Sequence, residues 1–312
     1  MSAPTAFSNS IDTIEIHGLR GRMLDLPART STASRVNILF LHGHHSSIER
    51  QEGLLTLLSS YGNVCAPDMP GFGGMEPLFR INKKPSIDQL AEYLATFIRL
   101  HYGTRKRFVA IGFSFGFVVL TRMLQLYPEL QPRVILTVSV VGFLSGEEFV
   151  FTKRRMLFYR FLCWALGFRV TSFLVRELVL RRWFLGTIYT QTRNAKVKFK
   201  NITTEVRKRY VDFEIYLWRA NDLRTHVYTN TAFLTCNLLK EKPIAPKLVH
   251  VVFSADQYFN AGVVAEHMKI AYADVEIVYV ESDSHAPSVV SDENEAALLF
   301  PKKLRKILGS LQ

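Results

Sequence analysis

Cysteine is scarce in this chain: there are three in 312 residues, Cys65, Cys163 and Cys236. They are odd in number, far apart and without metal-ligand spacing, which excludes a disulfide framework and a cysteine metal site. No uncharged apolar run reaches the roughly eighteen residues of a membrane-spanning helix. Met1 to Leu24 is polar and mixed, with no apolar stretch of the kind a secretion signal carries. A cytoplasmic, reduced protein is the expectation. No internal repeat and no low-complexity tract interrupts the chain.

What is present is apolar and unevenly charged. Apolar residues make up 48% of the chain and charged ones 21%, the balance of a globular protein with ample core material. The length suits one large α/β domain with an insertion, or two ordinary domains. The net charge is +12, and all of the excess lies in one segment: Phe151 to Lys242 holds nineteen Lys and Arg against six Asp and Glu. The rest of the chain is close to neutral. This asymmetry describes a near-neutral body with a cationic attachment, not a uniformly basic nucleic-acid binder.

The pattern of elements is an alternation. Ile11 to Leu26 suits an opening hairpin, and Arg35 to Leu41 reads as a buried strand ending in His42-Gly43-His44-His45. A helix is expected over Ile48–Tyr61 and a strand over Asn63–Asp68. Ser86 and Gln89 form a capping box ahead of a helix with Ile87, Leu90, Leu94, Phe97 and Ile98 at helical spacing. Further strands are expected at Phe108–Ile111, Val134–Val141, Lys247–Phe253 and Val275–Val280, with helices over Ala261–Ala271 and Asn294–Leu308. Strands that are apolar on both faces and alternate with helices imply a mainly parallel sheet covered on each side.

One stretch concentrates chemistry. Phe108 to Ile111 runs into Gly112-Phe113-Ser114-Phe115-Gly116, and Phe117 to Leu126 is spaced like a buried helix, so a serine sits at the apex of a strand, turn and helix. The two glycines lack the Cβ atoms that would collide where strand and helix pass. At a helix N-terminus, unpaired amides and the helix dipole favour a developing negative charge. This arrangement resembles the nucleophile elbow of the α/β-hydrolase superfamily. Asp68-Met69-Pro70-Gly71-Phe72-Gly73 is similar to a loop of the same superfamily and is expected to be structural.

In open parallel sheets, catalytic groups gather outside the C-terminal ends of the strands. Asp256 follows the strand ending at Phe253, and His285 follows the one ending at Val280. Ser114, Asp256, His285 is the chain order of the α/β-hydrolase triad. Ser114 is the expected nucleophile, His285 its base and Asp256 the group that orients the ring, with Asp283 and Glu281 as competitors for the last role. The N–H groups of Phe115 and His44 are the expected oxyanion donors. His42, Gly43, Phe113 and Phe117 are candidates for the substrate pocket. His42, His44 and His45 lack a carboxylate or cysteine partner at ligand spacing, so no metal or cofactor is expected, and His267 reads as a partly buried helix residue.

The alternation breaks near Gly142 and resumes at Lys247. The resemblance then implies a core of residues 1–142 and 244–312 and, over 143–243, a helical lid inserted after the sixth strand. The resemblance further implies a serine hydrolase of carboxylic esters that works through an acyl-enzyme. Thioester and carbon–carbon bond hydrolysis remain open with the same machinery. Phenylalanine on both sides of the serine points to an apolar acyl or alcohol group on a small-molecule or lipid ester. The basic, aromatic lid is a solvated cap, a surface for peripheral association with an anionic membrane, or a positive field that draws in a soluble anionic ester. No nucleic-acid motif accompanies its cluster Lys196, Lys198, Lys200, Arg207, Lys208 and Arg209. The rival reading is a non-catalytic protein of the same fold whose lid binds a membrane or partner.

Overall fold

A computed structural model of the chain describes residues 6–181, 203–254, 256–281, 290 and 292–312. Asp283 and His285, and the basic residues 196, 198 and 200, lie outside the described residues. The strands are β1 (Ile11–Ile16), β2 (Leu19–Leu26), β3 (Asn37–Leu41), β4 (Asn63–Pro67), β5 (Phe108–Phe113), β6 (Val134–Val140), β7 (Leu248–Phe253) and β8 (Val275–Val280). They form one sheet in the order β1-β2-β4-β3-β5-β6-β7-β8. Strand β2 runs antiparallel to β1 and to β4, and every other pairing is parallel. The expected hairpin and parallel sheet are therefore both present.

Each face of the sheet is covered, because the central strands carry apolar side chains in both directions. All six residues of β5 are buried. On one face lie α3 (Ile87–Tyr102), α4 (Phe115–Leu126) and α9 (Ala261–Ala271). On the other lie α2 (Glu52–Leu58), α10 (Glu293–Leu299) and α11 (Lys302–Gly309). A short helix, α1 (Ala6–Asn9), precedes β1. Half of the expected capping box forms: Ser86 Oγ accepts from the N–H of Gln89 at 3.2 Å, while the Gln89 side chain donates to Glu92 Oε2 at 3.0 Å and does not return to Ser86.

Two helices differ from the sequence reading. The helix expected over 48–61 opens as a tighter turn at Ile48–Gln51 and is α-helical only over Glu52–Leu58. The terminal helix is two helices, since Pro301 caps α11 in an extended conformation. A proline has no N–H to continue the preceding ladder, and its ring collides with the carbonyl one turn back.

Between β6 and β7 the described chain is helical: α5 (Lys153–Gly167), α6 (Arg169–Leu174) running into a π-helical turn at Val175–Val179, α7 (Thr204–Ala220) and α8 (Leu223–Thr235). This insertion sits over the C-terminal edge of the sheet. The corner between α7 and α8 is bonded to the core: Gly73 N–H donates to Asn221 Oδ1 at 2.8 Å, and Asp222 N–H donates to the Gly71 carbonyl at 2.8 Å. A Cβ on Gly71 would stand 2.5 Å from Thr225 Oγ1. The Asp-x-Pro-Gly-x-Gly loop is thus structural: Gly71 lets α8 approach, and Gly73 makes room for the Asp68 carboxylate.

Candidate active site

Ser114 stands between β5 and α4 with φ 48° and ψ −118°. That backbone region is costly for a residue with a Cβ and persists only where the surroundings enforce it. Here its N–H is bonded to the Val140 carbonyl at 2.8 Å, and its carbonyl accepts from Phe117 N–H at 3.0 Å. The glycines leave no room for anything larger. A Cβ on Gly112 would lie 2.4 Å from Phe117 Cα, and one on Gly116 would lie 2.4 Å from the His42 carbonyl oxygen. The Ser114 side chain does not cap α4, so it is not spent on the helix end. The N–H of Phe115, in the first turn of α4, is among the four that a helix leaves without an intrahelical acceptor.

The loop after β3 lies against the elbow. A Cβ on Gly43 would meet the Phe113 carbonyl at 3.3 Å and Ser114 Cβ at 3.4 Å. His42 is buried beneath it. Met69 N–H donates to His42 Nε2 at 3.3 Å, so Nδ1 carries the proton and donates to the Gly43 carbonyl at 2.8 Å. Burial holds this ring neutral, pushing its pKa down to about 4. In a trans peptide the carbonyl and the following N–H point in opposite directions. By fixing the Gly43 carbonyl, His42 therefore turns the His44 N–H away from itself.

The three neighbouring histidines do not gather as ligands. Toward His42 Nε2 the nearest carboxylate is Asp68, at 3.5 Å. The His44 ring meets Thr229 Oγ1 of α8 at 2.8 Å, and His45 Nδ1 lies 3.1 Å from Asn221 Nδ2. Burial carries His44 and His45 well below the ordinary histidine value. Below them sits an ion cluster that sequence reasoning missed. Arg22, on β2, donates to Asp68 Oδ2 at 2.7 Å and to Glu49 Oε1 at 2.6 Å, and also to the Gly73 carbonyl. Burial pushes the Asp68 carboxyl up and Arg22 opposes it.

Above Ser114 opens a cavity of about 680 Å³, within the usual range for small-molecule sites. Gly43, His44, Phe113, Ser114 and Phe115 form its floor; Phe143, Phe149, Phe233 and Phe259 form an aromatic wall; Tyr159, Cys163 and Leu166 of α5 form its roof. Phe143 and Phe259 stack at 4.8 Å, and Phe149 and Phe233 at 5.7 Å. One end is polar. There Arg50 Nη2 bonds Glu214 Oε1 of α7 at 3.3 Å, beside His45 and His226. Burial lowers the pKa of His226 to about 4, so this histidine of α8 is neutral near pH 7.

Of the expected pocket residues, Gly43 and Phe113 line this cavity. Phe117 does not: the first turn of α4 carries it into the core, where it stacks on Tyr272 at 5.9 Å. His42 is likewise beneath the floor and not in it. Asp256 follows β7 as expected, and one of its carboxylate oxygens accepts from Tyr258 N–H at 2.8 Å. Glu281 follows β8 directly, and His285 lies outside the described residues. His267 is partly buried on α9, as expected, with Nδ1 2.7 Å from Glu148 Oε1.

A mainly parallel sheet with an antiparallel second strand, a serine in a strained strand-to-helix turn and helices over the C-terminal edge define the α/β-hydrolase fold. A model of the alpha/beta hydrolase family matches residues 38–298, and the chain belongs to that family. Among solved structures, a membrane phospholipase A described as a bacterial virulence factor is similar with a TM-score of 0.66 at 15% identity, over 96% of this chain and 86% of that one. A putative aryl esterase from Burkholderia cenocepacia is similar with a TM-score of 0.65 at 15% identity, over 96% and 97% of the two chains. A mutant of an epoxide hydrolase from Bacillus megaterium gives 0.64 at 13% identity, over 96% and 99%. These likenesses show the fold. No curated protein sequence matches the chain.

Proposed function

We propose that this member of the family is a serine hydrolase that cleaves carboxylic esters with an apolar acyl or alcohol part. The observation that carries the reading is Ser114, held in a strained turn on the floor of a phenylalanine-walled cavity. In this reading Ser114 Oγ attacks the ester carbonyl as His285 takes its proton, and the oxyanion is received by the N–H groups of Phe115 and His44. The same ring returns the proton to the departing alcohol, water cleaves the acyl-enzyme, and Asp256 orients the ring and stabilises its charged form. The aromatic wall accommodates the apolar part, because burying a hydrocarbon chain there contributes about 0.8 kcal/mol per methylene. The names of two neighbours, a phospholipase and an esterase, support an ester as the substrate.

The test is labelling with a fluorophosphonate, together with hydrolysis of p-nitrophenyl esters of graded acyl length. Labelling is expected in the native chain and absent in Ser114→Ala, with ester turnover falling by a factor of at least about 10³. His285→Ala is expected to fall comparably and Asp256→Ala by somewhat less. An unlabelled native protein that turns over none of the esters would refute the reading and leave a binding protein built on a hydrolase fold.

A further inference from the structure

Helix α5 is apolar on two sides. Tyr159, Cys163 and Leu166, spaced one helical turn apart, face the cavity. Leu157, Phe161, Trp164 and Phe168 repeat with the same period half a turn away and are 68%, 61%, 63% and 52% exposed. Among the described residues eighteen large apolar side chains stand exposed, and eleven of them lie between Val150 and Leu178. A continuous apolar face of this kind is unusual on a soluble surface and marks a contact.

The charges around it say what the contact is with. From Phe151 to Arg181 the sequence has seven cations, Lys153, Arg154, Arg155, Arg160, Arg169, Arg176 and Arg181, and one anion, Glu177. All seven cations are exposed, and none forms an ion pair among the described residues. Exposed Phe, Trp and Leu beside Arg without a carboxylate partner match an interfacial helix, whose rings enter the acyl boundary while the guanidinium groups meet lipid phosphates. No helix of the described chain is long and apolar enough to cross a membrane, so the contact is with the surface. The other half of the insertion is tied to the core through Asn221, Asp222 and Glu214, leaving α5 and α6 as its outward half.

We propose that the outer face of α5 and α6 docks on an anionic bilayer, setting the cavity roof against the lipid from which the ester is drawn. The docking is independent of catalysis; that lipid supplies the substrate rests on the ester-hydrolase reading above.

Co-sedimentation of the full chain with vesicles tests it, using phosphatidylcholine alone and phosphatidylcholine mixed with phosphatidylglycerol. Binding is expected to favour the anionic vesicles and to weaken with salt. Replacing Arg154, Arg160 and Arg169 together by Gln is expected to lower binding to anionic vesicles by about 100-fold. The double replacement Phe161→Ser and Trp164→Ser is expected to abolish it, with thermal unfolding and hydrolysis of a short water-soluble ester unchanged. Equal, salt-insensitive binding to both vesicles, or binding that these variants leave intact, would overturn the proposal. So would a stable dimer in solution that the double variant dissociates, since a second copy would then cover the face. Ser114→Ala is expected to bind vesicles like the native chain. Vesicle binding without ester turnover would leave the docking standing and refute the hydrolase reading, and turnover without binding would do the reverse.

Discussion

Gly112 cannot accept a side chain without a shift of the backbone beside it. Its missing Cβ would press on the backbone of Phe117, 2.4 Å away, and a backbone atom cannot rotate aside. Gly112→Ala is expected to lower stability by about 1–3 kcal/mol or more, read as a drop in thermal midpoint alongside loss of fluorophosphonate labelling. Arg22 is a second sensitive residue. Arg22→Met leaves the Asp68 carboxylate buried without its cation, a loss of about 3–5 kcal/mol. That loss should be greatest at alkaline pH and shrink as the pH falls through about 8, where burial has raised the Asp68 carboxyl and it takes up a proton; urea unfolding at alkaline and neutral pH measures it. His42 acts through the loop and not on the substrate. His42→Leu keeps the packing but releases the Gly43 carbonyl, so kcat should fall by about tenfold or more while KM changes little. Gly112, Ser114 and Gly116 were legible in the sequence because the constraint on them is local, five consecutive residues between a strand and a helix. Arg22 was not, since Asp68 and Glu49 reach it from other strands and loops and no spacing along the chain marks the meeting.

Among the elements, the strands could be read closely from their apolar runs, because a strand buried on both faces has few other sequence solutions. Helix ends were harder. Asn294–Leu308 has one helical period throughout, and only Pro301 divides it. Phe117 went to the wrong place for a related reason: a helix turns 100° per residue, so two positions after Phe115 can face opposite ways, and the short pattern does not say which faces the cavity. The insertion was recognisable as helical and basic, but its attachment was not, because it is made by backbone groups of Gly71 and Gly73, which carry no side-chain signal of their partner. Asn221 bridges Gly73 and His45 there. Asn221→Leu is expected to cost about 1–3 kcal/mol for the buried groups left unpaired. If the α7–α8 corner shapes the polar end of the cavity, KM for esters should also rise; steady-state kinetics beside thermal unfolding separates the two effects.

Over the whole molecule, buried histidine sets the response to acid. Burial lowers His42 and His226 to about 4 and His250 to about 3, with His44 and His45 also well below the ordinary value. The unfolded chain protonates these rings first, near pH 6.5, so it binds more protons than the folded chain over the interval below. Their contribution to stability is complete above about pH 6.5 and is lost as the pH falls toward 4. The urea midpoint should therefore decline steeply across that interval, and His250→Asn should flatten the decline if the fold tolerates it. The count of histidines is plain in the sequence, whereas their burial depends on which strand and loop each one meets.

Strands β6 and β7, where the insertion leaves and re-enters the core, lie side by side and in register from Thr137↔Leu248 to Val140↔Val251. The entire roof is consequently a detour between two adjacent anchor points. A roof borrowed from another member of the family, or a shorter one, can be spliced between those ends without moving the serine or its glycines. The insertion is then exchangeable as a cassette, while Ser114 keeps its mounting.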